Sequence, residues 1–444
     1  MKAECKDAVA PPLSRSSRQG GHSTQVSGDS SRLTRVLYAA ITLALILYAL
    51  QAFTPLRLGN DGLEYLWLAD TAAAHGVPYA LHLRDFHDFP FPKGYPLFLF
   101  ALIKAGIFCS ATMVLSNFLF YLAGLFFTFR TLIALGFPRT HVLLASLLSL
   151  LFFTAVKHVT QGASDFLFFA MSACVCWLLT LNSPTKWIAI VPLAVCAVEV
   201  RFIGLALAAP IAVAAWPAVK KRPALLAASA VAASLCLGLG VIAGHYYLTT
   251  NLQMLHRQRL LGFLTKDMLA HLQDFGELTI NAPLTKLPSW AGVPSLVLGA
   301  VTLCCFLAGV FLLRRRTPWL SAYLLAYSAL VFPWPFTDAR FWLPVMPMVF
   351  LAIYTSAQSL FKRIGGPDFD RPALAYAALY ALMGFAALAY STRLTFAGPK
   401  FPYLYGDGTL TNSYLAHCTA GTPPIDAGTL HLLQRYQWHC PNPQ

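Results

Sequence analysis

Apolar runs long enough to span a bilayer recur along nearly the whole chain, and no other property narrows its fold as much. The clearest lie at about residues 36–53, 111–135, 291–313 and 373–391. As helices, runs of about 17–25 apolar residues cross a hydrocarbon core roughly 30 Å thick. Hydrophobic residues make up 57% of the chain and charged residues 11%, against about 45–50% and about 25% in ordinary soluble domains. The expected fold is all-α, a polytopic transmembrane bundle of about eleven helices, with further members expected at about 141–156, 165–181, 187–198, 203–218 and 224–247. Residues 1–35 are expected as a disordered cytoplasmic tail, 36–391 as the membrane domain, and 392–444 as an outer tail.

Charge orients the bundle. The formal charge of +14 falls largely in tight clusters, Lys220-Lys221-Arg222, Arg314-Arg315-Arg316 and Lys362/Arg363/Arg371. Alternate threading puts all three on one side, which the positive-inside rule makes cytoplasmic, together with the N-terminus. Most carboxylates then face outward, in a first outer loop over 54–110 and a second outer segment over 248–289. No basic stretch interleaved with aromatics lies in a soluble segment, so nucleic acid is not an expected partner. Most cysteines sit in apolar runs as small hydrophobes. Cys418 and Cys440 share the polar C-terminal segment, and whether they pair stays open. The first apolar run is too long and too late for a signal peptide and stays as a helix. No pair of Gly/Pro-broken helices recurs in two halves, as a secondary transporter would carry.

Five elements collect chemistry at the outer side. Asn60-Asp61-Gly62-Leu63-Glu64-Tyr65 follows the first helix and leads an interfacial helix. Phe91-Pro92-Lys93-Gly94-Tyr95-Pro96-Leu97 leads a second, shallow one. Asp165 opens an apolar helix after Thr160-Gln161-Gly162-Ala163-Ser164. Arg201 caps a hairpin in Val200-Arg201-Phe202-Ile203-Gly204, and Arg340 opens Arg340-Phe341-Trp342-Leu343-Pro344-Val345-Met346-Pro347. A carboxylate at membrane level costs several kcal/mol and needs a purpose or a partner. Each has a plain alternative. Asp61-x-x-Glu64 is also a capping-box-like start, and Asp165 an N-cap. Arg201 has Glu199 for a partner, Arg340 has Asp338, and Lys93 has lipid head groups. His82, Arg84, Asp85, His87 and Asp88 form a polar patch of solvated-loop character whose spacing matches no standard metal-ligand set. His256, Arg257 and Arg259 belong to the second outer segment.

In this order the five elements resemble the GT-C superfamily of polyprenyl-phosphate-sugar glycosyltransferases, nearest to protein O-mannosyltransferases and the lipid A aminoarabinose transferase. The likeness covers about residues 36–360. Gly62 stands where the family often has Glu, and Gly94-Tyr95-Pro96 replaces a Pro-Pro doublet. The resemblance implies a GT-C-like fold and transfer of a sugar from a polyprenyl-phosphate donor to an acceptor hydroxyl, with inversion, at the periplasmic or outer face of what is expected to be a bacterial inner membrane. Asp61 would be the base and Asp165 the group that orients acceptor, sugar or a divalent metal. Lys93, Arg201 and Arg340 would bind the donor phosphate. Glu64, Tyr65 and Tyr95 would support the site, with His82, Asp85, His87 and Asp88 as candidate substrate contacts. No cofactor is fixed, and a metal stays open. The expected partners are the lipid donor, membrane lipids and a lipid, polysaccharide or protein acceptor. Two other classes remain, a lipid-linked saccharide transporter or flippase, which would need ionisable residues in mid-helix, and an O-antigen-ligase or polymerase-like enzyme.

Overall fold

The computed structural model describes residues 26–54, 57, 60–77, 92–220, 268–284, 287–332, 334, 338–365, 369–397 and 435. Among them the chain is almost entirely helical, without a strand. Among the described residues, five helical stretches are long and apolar enough to cross a membrane, Arg32–Phe53, Ser110–Ala134, Ser289–Leu313, Ala339–Arg363 and Asp370–Thr395. The expected helix at 224–247, the patch at 82–88, His256–Arg259, Cys418 and Cys440 lie outside the described residues.

In chain order the helices are α1 (Val26–Leu50), α2 (Asn60–His75), α3 (Gly94–Lys104), α4 (Ser110–Ala134), α5 (Arg139–Leu150), α6 (Phe153–His158) and α7 (Asp165–Leu179). They continue as α8 (Lys186–Val200), α9 (Ala208–Lys220), α10 (Met268–Ile280), α11 (Gly292–Leu313), α12 (Pro318–Val331), α13 (Met346–Arg363) and α14 (Asp370–Thr395). Short 3-10 turns lead into α9 and α13 at Phe202–Leu207 and Ala339–Val345. Helix α1 begins ten residues before the apolar run, so part of the tail expected to be disordered is helical; once a long helix has nucleated, adding polar residues to its end costs little.

Two expectations need correction. A single helix over 141–156 is in fact α5 and α6, broken at Leu151-Phe152. No Pro or Gly causes the break. The last carbonyls of a helix need outside partners, and lipid supplies none; here side chains from three other helical regions do. Tyr121 donates to Ser149 O, Tyr48 to Leu150 O at 2.7 Å, and Asn281 Nδ2 to Leu151 O at 3.0 Å. Asn281 also accepts from Phe153 N at 2.8 Å and sits in the left-handed region at φ 60°. Likewise the helix expected at 203–218 begins as a 3-10 turn, because the backbone folds back on itself there. A Cβ on Gly204 would meet Val198 N at 2.7 Å and Ala197 C at 2.8 Å.

Helix polarity separates two ends of the bundle. Asp165 starts α7, Arg201 ends α8, Arg340 precedes α13 and the C-terminal turn of α14 carries Ser391 and Thr395. The far ends of those helices carry Lys186, Lys362, Arg363 and Asp370. There Tyr354 donates to Asp370 Oδ1 at 2.5 Å, and Arg139 donates to Tyr38 at 2.5 Å. The segregation of chemistry from basic clusters is therefore a property of the packing as well as of the sequence pattern.

Candidate functional site

The site is built around the loop 159–164 between α6 and α7. A loop buried in a membrane protein must have its polar backbone groups satisfied by protein. Asn117, in the third turn of α4, donates to Gln161 O at 2.6 Å and Val159 O at 3.3 Å, and accepts from Tyr95 Oη at 3.0 Å. Arg57 is 1% exposed and pairs backbone to backbone with Gln161. Its guanidinium donates to Thr160 Oγ1 at 3.5 Å, to Ser391 Oγ at 3.1 Å and to Thr395 Oγ1 at 3.1 Å, tying α14 to the loop. Gly62 lies against Gly162, and a Cβ added to it would stand 3.0 Å from Gly162 O. That contact gives a physical reason for glycine at this position. The loop ends at Ser164, whose Oγ is 3.1 Å from Tyr65 Oη and accepts from Arg201 at 3.2 Å.

Two arginines and three carboxylates converge beside this loop. Arg201 lies 2.9 Å from Asp165 Oδ1. Arg340 donates to Asp61 Oδ2 at 2.6 Å, across 279 residues of sequence. Asp338 caps the 3-10 turn through Oδ1, accepting from Arg340 N at 2.8 Å, while its Oδ2 lies 3.3 Å from Arg340 Nε. Both guanidiniums stack on one ring, Phe341, at 5.5 Å for Arg201 and 5.4 Å for Arg340. Phe341 is fixed in turn, because Tyr327 Oη donates to its carbonyl and the neighbouring Trp342 is buried among Phe275, Phe306 and Phe332. The shared ring brings the two ion pairs into one cluster.

Titration follows from this packing. Burial, with Asp61 adding negative charge, pushes Tyr65 up to about 12, so it stays protonated. Burial brings His158 down to about 4, a neutral imidazole whose Nδ1 has no hydrogen-bond partner among the described residues. Burial alone would raise the Asp338 carboxyl, but Arg340, His158, the hydrogen bond from Arg340 N and Lys157 together outweigh it and hold Asp338 below the ordinary carboxylate range.

Of the residues picked from sequence, Asp61 meets Arg340, Asp165 meets Arg201, both arginines share the Phe341 ring, and Tyr65 reaches Arg201 through Ser164. Asp165 is the first residue of α7 and is drawn to Arg201, while Ser164 takes the cap position. Arg201 pairs with Asp165, not with Glu199, and Arg340 makes both bonds open to it, to Asp338 and to Asp61. Lys93 is the N-cap of α3. A Cβ on the adjoining Gly94 would meet Glu199 C and O at 2.9 Å, which puts this end of α3 at the Arg201 corner. Tyr95 acts through Asn117, and Glu64 is buried on α2. His82, Asp85, His87 and Asp88 lie outside the described residues.

Sequence reading missed Arg57, Asn117 and His158. Asn117 and Arg57 carried a usable signal, since a polar residue inside or beside an apolar helix normally marks an internal partner. His158 carried none. As for a metal, no group of three or more His, Cys, Asp or Glu among the described residues is arranged to hold one. Asp165 already faces a guanidinium. The described residues do not fit a metal centre. Comparison with protein-family models, with curated proteins and with solved structures yields no match.

Proposed function

We propose that this chain is an integral-membrane glycosyltransferase of GT-C type, with about eleven transmembrane helices and its N-terminus in the cytoplasm. It moves a sugar from a polyprenyl-phosphate donor to an acceptor hydroxyl at the outer face. One observation carries the reading: Asp61–Arg340 and Asp165–Arg201 come from four distant elements and meet around Phe341, at the end of the bundle opposite Lys186, Lys362 and Arg363. Ionisable groups at membrane level are costly and are retained where they serve a site.

In the proposed reaction the acceptor oxygen bonds to the anomeric carbon while the carbon–oxygen bond to phosphate breaks, its electron pair leaving with the phosphate. The acceptor proton passes to Asp61, a general-base role of the kind that contributes about 10²–10⁴-fold. Arg340 and Arg201 offset charge growing on the departing phosphate through charge-assisted hydrogen bonds. Lys93, at the Arg201 corner, adds to the same field. Asp165 holds Arg201, and Tyr65 and Ser164 hold the surface on which both act. Direct displacement inverts the anomeric configuration.

The test is a panel of radiolabelled polyprenyl-phosphate sugars offered to the purified chain in lipid nanodiscs with a membrane extract as acceptor. Labelled product from at least one donor, with inverted anomeric linkage, supports the reading. Absence of transfer from every donor by a folded protein that also fails to bind the lipid phosphate would overturn it.

A further inference from the structure

The two arginines are held differently. Arg201 donates to Ser164 while its partner Asp165 is 1% exposed on its side chain, sealed in the frame of the site. Arg340 is fixed from behind, where Asp338 takes its backbone N–H and faces its Nε. Its forward NH2 group reaches Asp61, and that pair is the more open one, with side chains 18% and 25% exposed. A phosphate approaching Arg340 meets a guanidinium already occupied on its forward face.

We propose, resting on the reading above, that the donor's phosphate exchanges with Asp61 on Arg340. In the free protein Asp61 closes the site as the partner of Arg340. When a lipid-linked phosphate enters, Arg340 turns its forward N–H groups to the phosphate oxygens and Asp61 is released as a carboxylate facing the acceptor. No covalent bond changes at this step; one charge-assisted hydrogen bond is replaced by another. Asp338 is then a positioning residue, keeping Arg340 in place while its partner changes. The base becomes available only with donor present, which couples activation of the acceptor to occupancy of the phosphate site.

Exchange predicts an unusual separation of binding from turnover. Removing the Asp61 charge deletes a competitor for Arg340, so phosphate binding tightens while transfer is lost. The probe is undecaprenyl phosphate, titrated into the full chain in nanodiscs. Asp61→Asn is expected to bind it about tenfold more tightly than wild type, the scale of a close charge pair. Asp338→Asn is the control, because it removes the same charge from the same arginine while asparagine still caps. Exchange predicts a gain distinctly smaller than that of Asp61→Asn.

Equal gains in both variants, or no gain in Asp61→Asn, would overturn the exchange while leaving lipid-phosphate binding intact. If neither wild type nor Asp61→Asn binds undecaprenyl phosphate, the exchange and the functional reading fall together. Inorganic phosphate is expected to compete at least a hundredfold more weakly; equal competition would assign the site to a free phosphate compound and overturn the proposal. Asp61→Ser, measured in parallel, covers a folding defect in Asp61→Asn.

Discussion

The Asp165–Arg201 and Asp61–Arg340 pairs use the same chemistry in different surroundings. Asp165 is buried at the start of α7, and its arginine also bonds Ser164 at the end of a loop fastened by Asn117, Arg57 and Gly62. Asp61 stands on the second residue of α2, a quarter exposed, meeting an arginine that belongs to a short 3-10 turn. Breaking a buried pair leaves an uncompensated charge in a poor solvent, whereas an exposed pair is replaced by water or ligand at small cost. The first pair is frame and the second is working surface.

That contrast is broken most forcefully at Asp165. Asp165→Ala strands Arg201 and is expected to lower stability by about 3–5 kcal/mol, visible as a large fall in thermal midpoint or in yield of folded protein. A variant as stable as wild type would remove Asp165 from the frame. Asn117→Leu leaves the carbonyls of Val159 and Gln161 and the Tyr95 hydroxyl without their partner, at about 1–3 kcal/mol for each group left unsatisfied. A lowered midpoint and impaired transfer should appear together in that variant.

Smaller, and signed by pH, is Glu277 on α10. Burial pushes its carboxyl up to about 7, with Asp274 and Asp338 adding to the effect and the hydrogen bond from Leu284 N opposing it. The folded value lies above the unfolded one, so the folded state favours the protonated form. The stability this contributes is full below about pH 4.3, the ordinary Glu value, and is lost as pH rises through 7. Glu277→Gln should raise the thermal midpoint at pH 8 by an amount worth up to about 2 kcal/mol after allowance for solvent screening. At pH 4.5 the two proteins should melt together; a gain at that pH as large as at pH 8 would contradict the assignment. Smallest of all is the stability effect of Asp61→Asn, expected within about 1 kcal/mol of wild type.

The fold class was legible because apolar runs of membrane-spanning length need no partner to be recognised, and the ends of α4, α7, α8 and α11 fall within two or three residues of the pattern. The break between α5 and α6 was not legible, since the side chains that satisfy its carbonyls, Tyr48, Tyr121 and Asn281, come from elsewhere in the chain, Asn281 from about 130 residues away. The site was half legible. Asp61, Asp165, Arg201 and Arg340 stand out as charges bordering apolar segments, but nothing local says which acid meets which base. Local spacing favours Glu199 for Arg201 and Asp338 for Arg340; the packing of α7 on the α8 corner puts Asp165 in place of Glu199, and that of α2 on the loop at 159–164 adds Asp61 to Asp338. Arg57 reads as a lone juxtamembrane cation, and only the arrival of Ser391 and Thr395 makes it part of the frame.

The most direct test of the central claim is single-turnover transfer by folded Asp61→Asn protein with saturating polyprenyl-phosphate sugar. If Asp61 is the base on the working surface, the rate falls by about 10²–10⁴-fold while the thermal midpoint stays near that of wild type. Wild-type transfer by a normally folded Asp61→Asn protein would contradict the account.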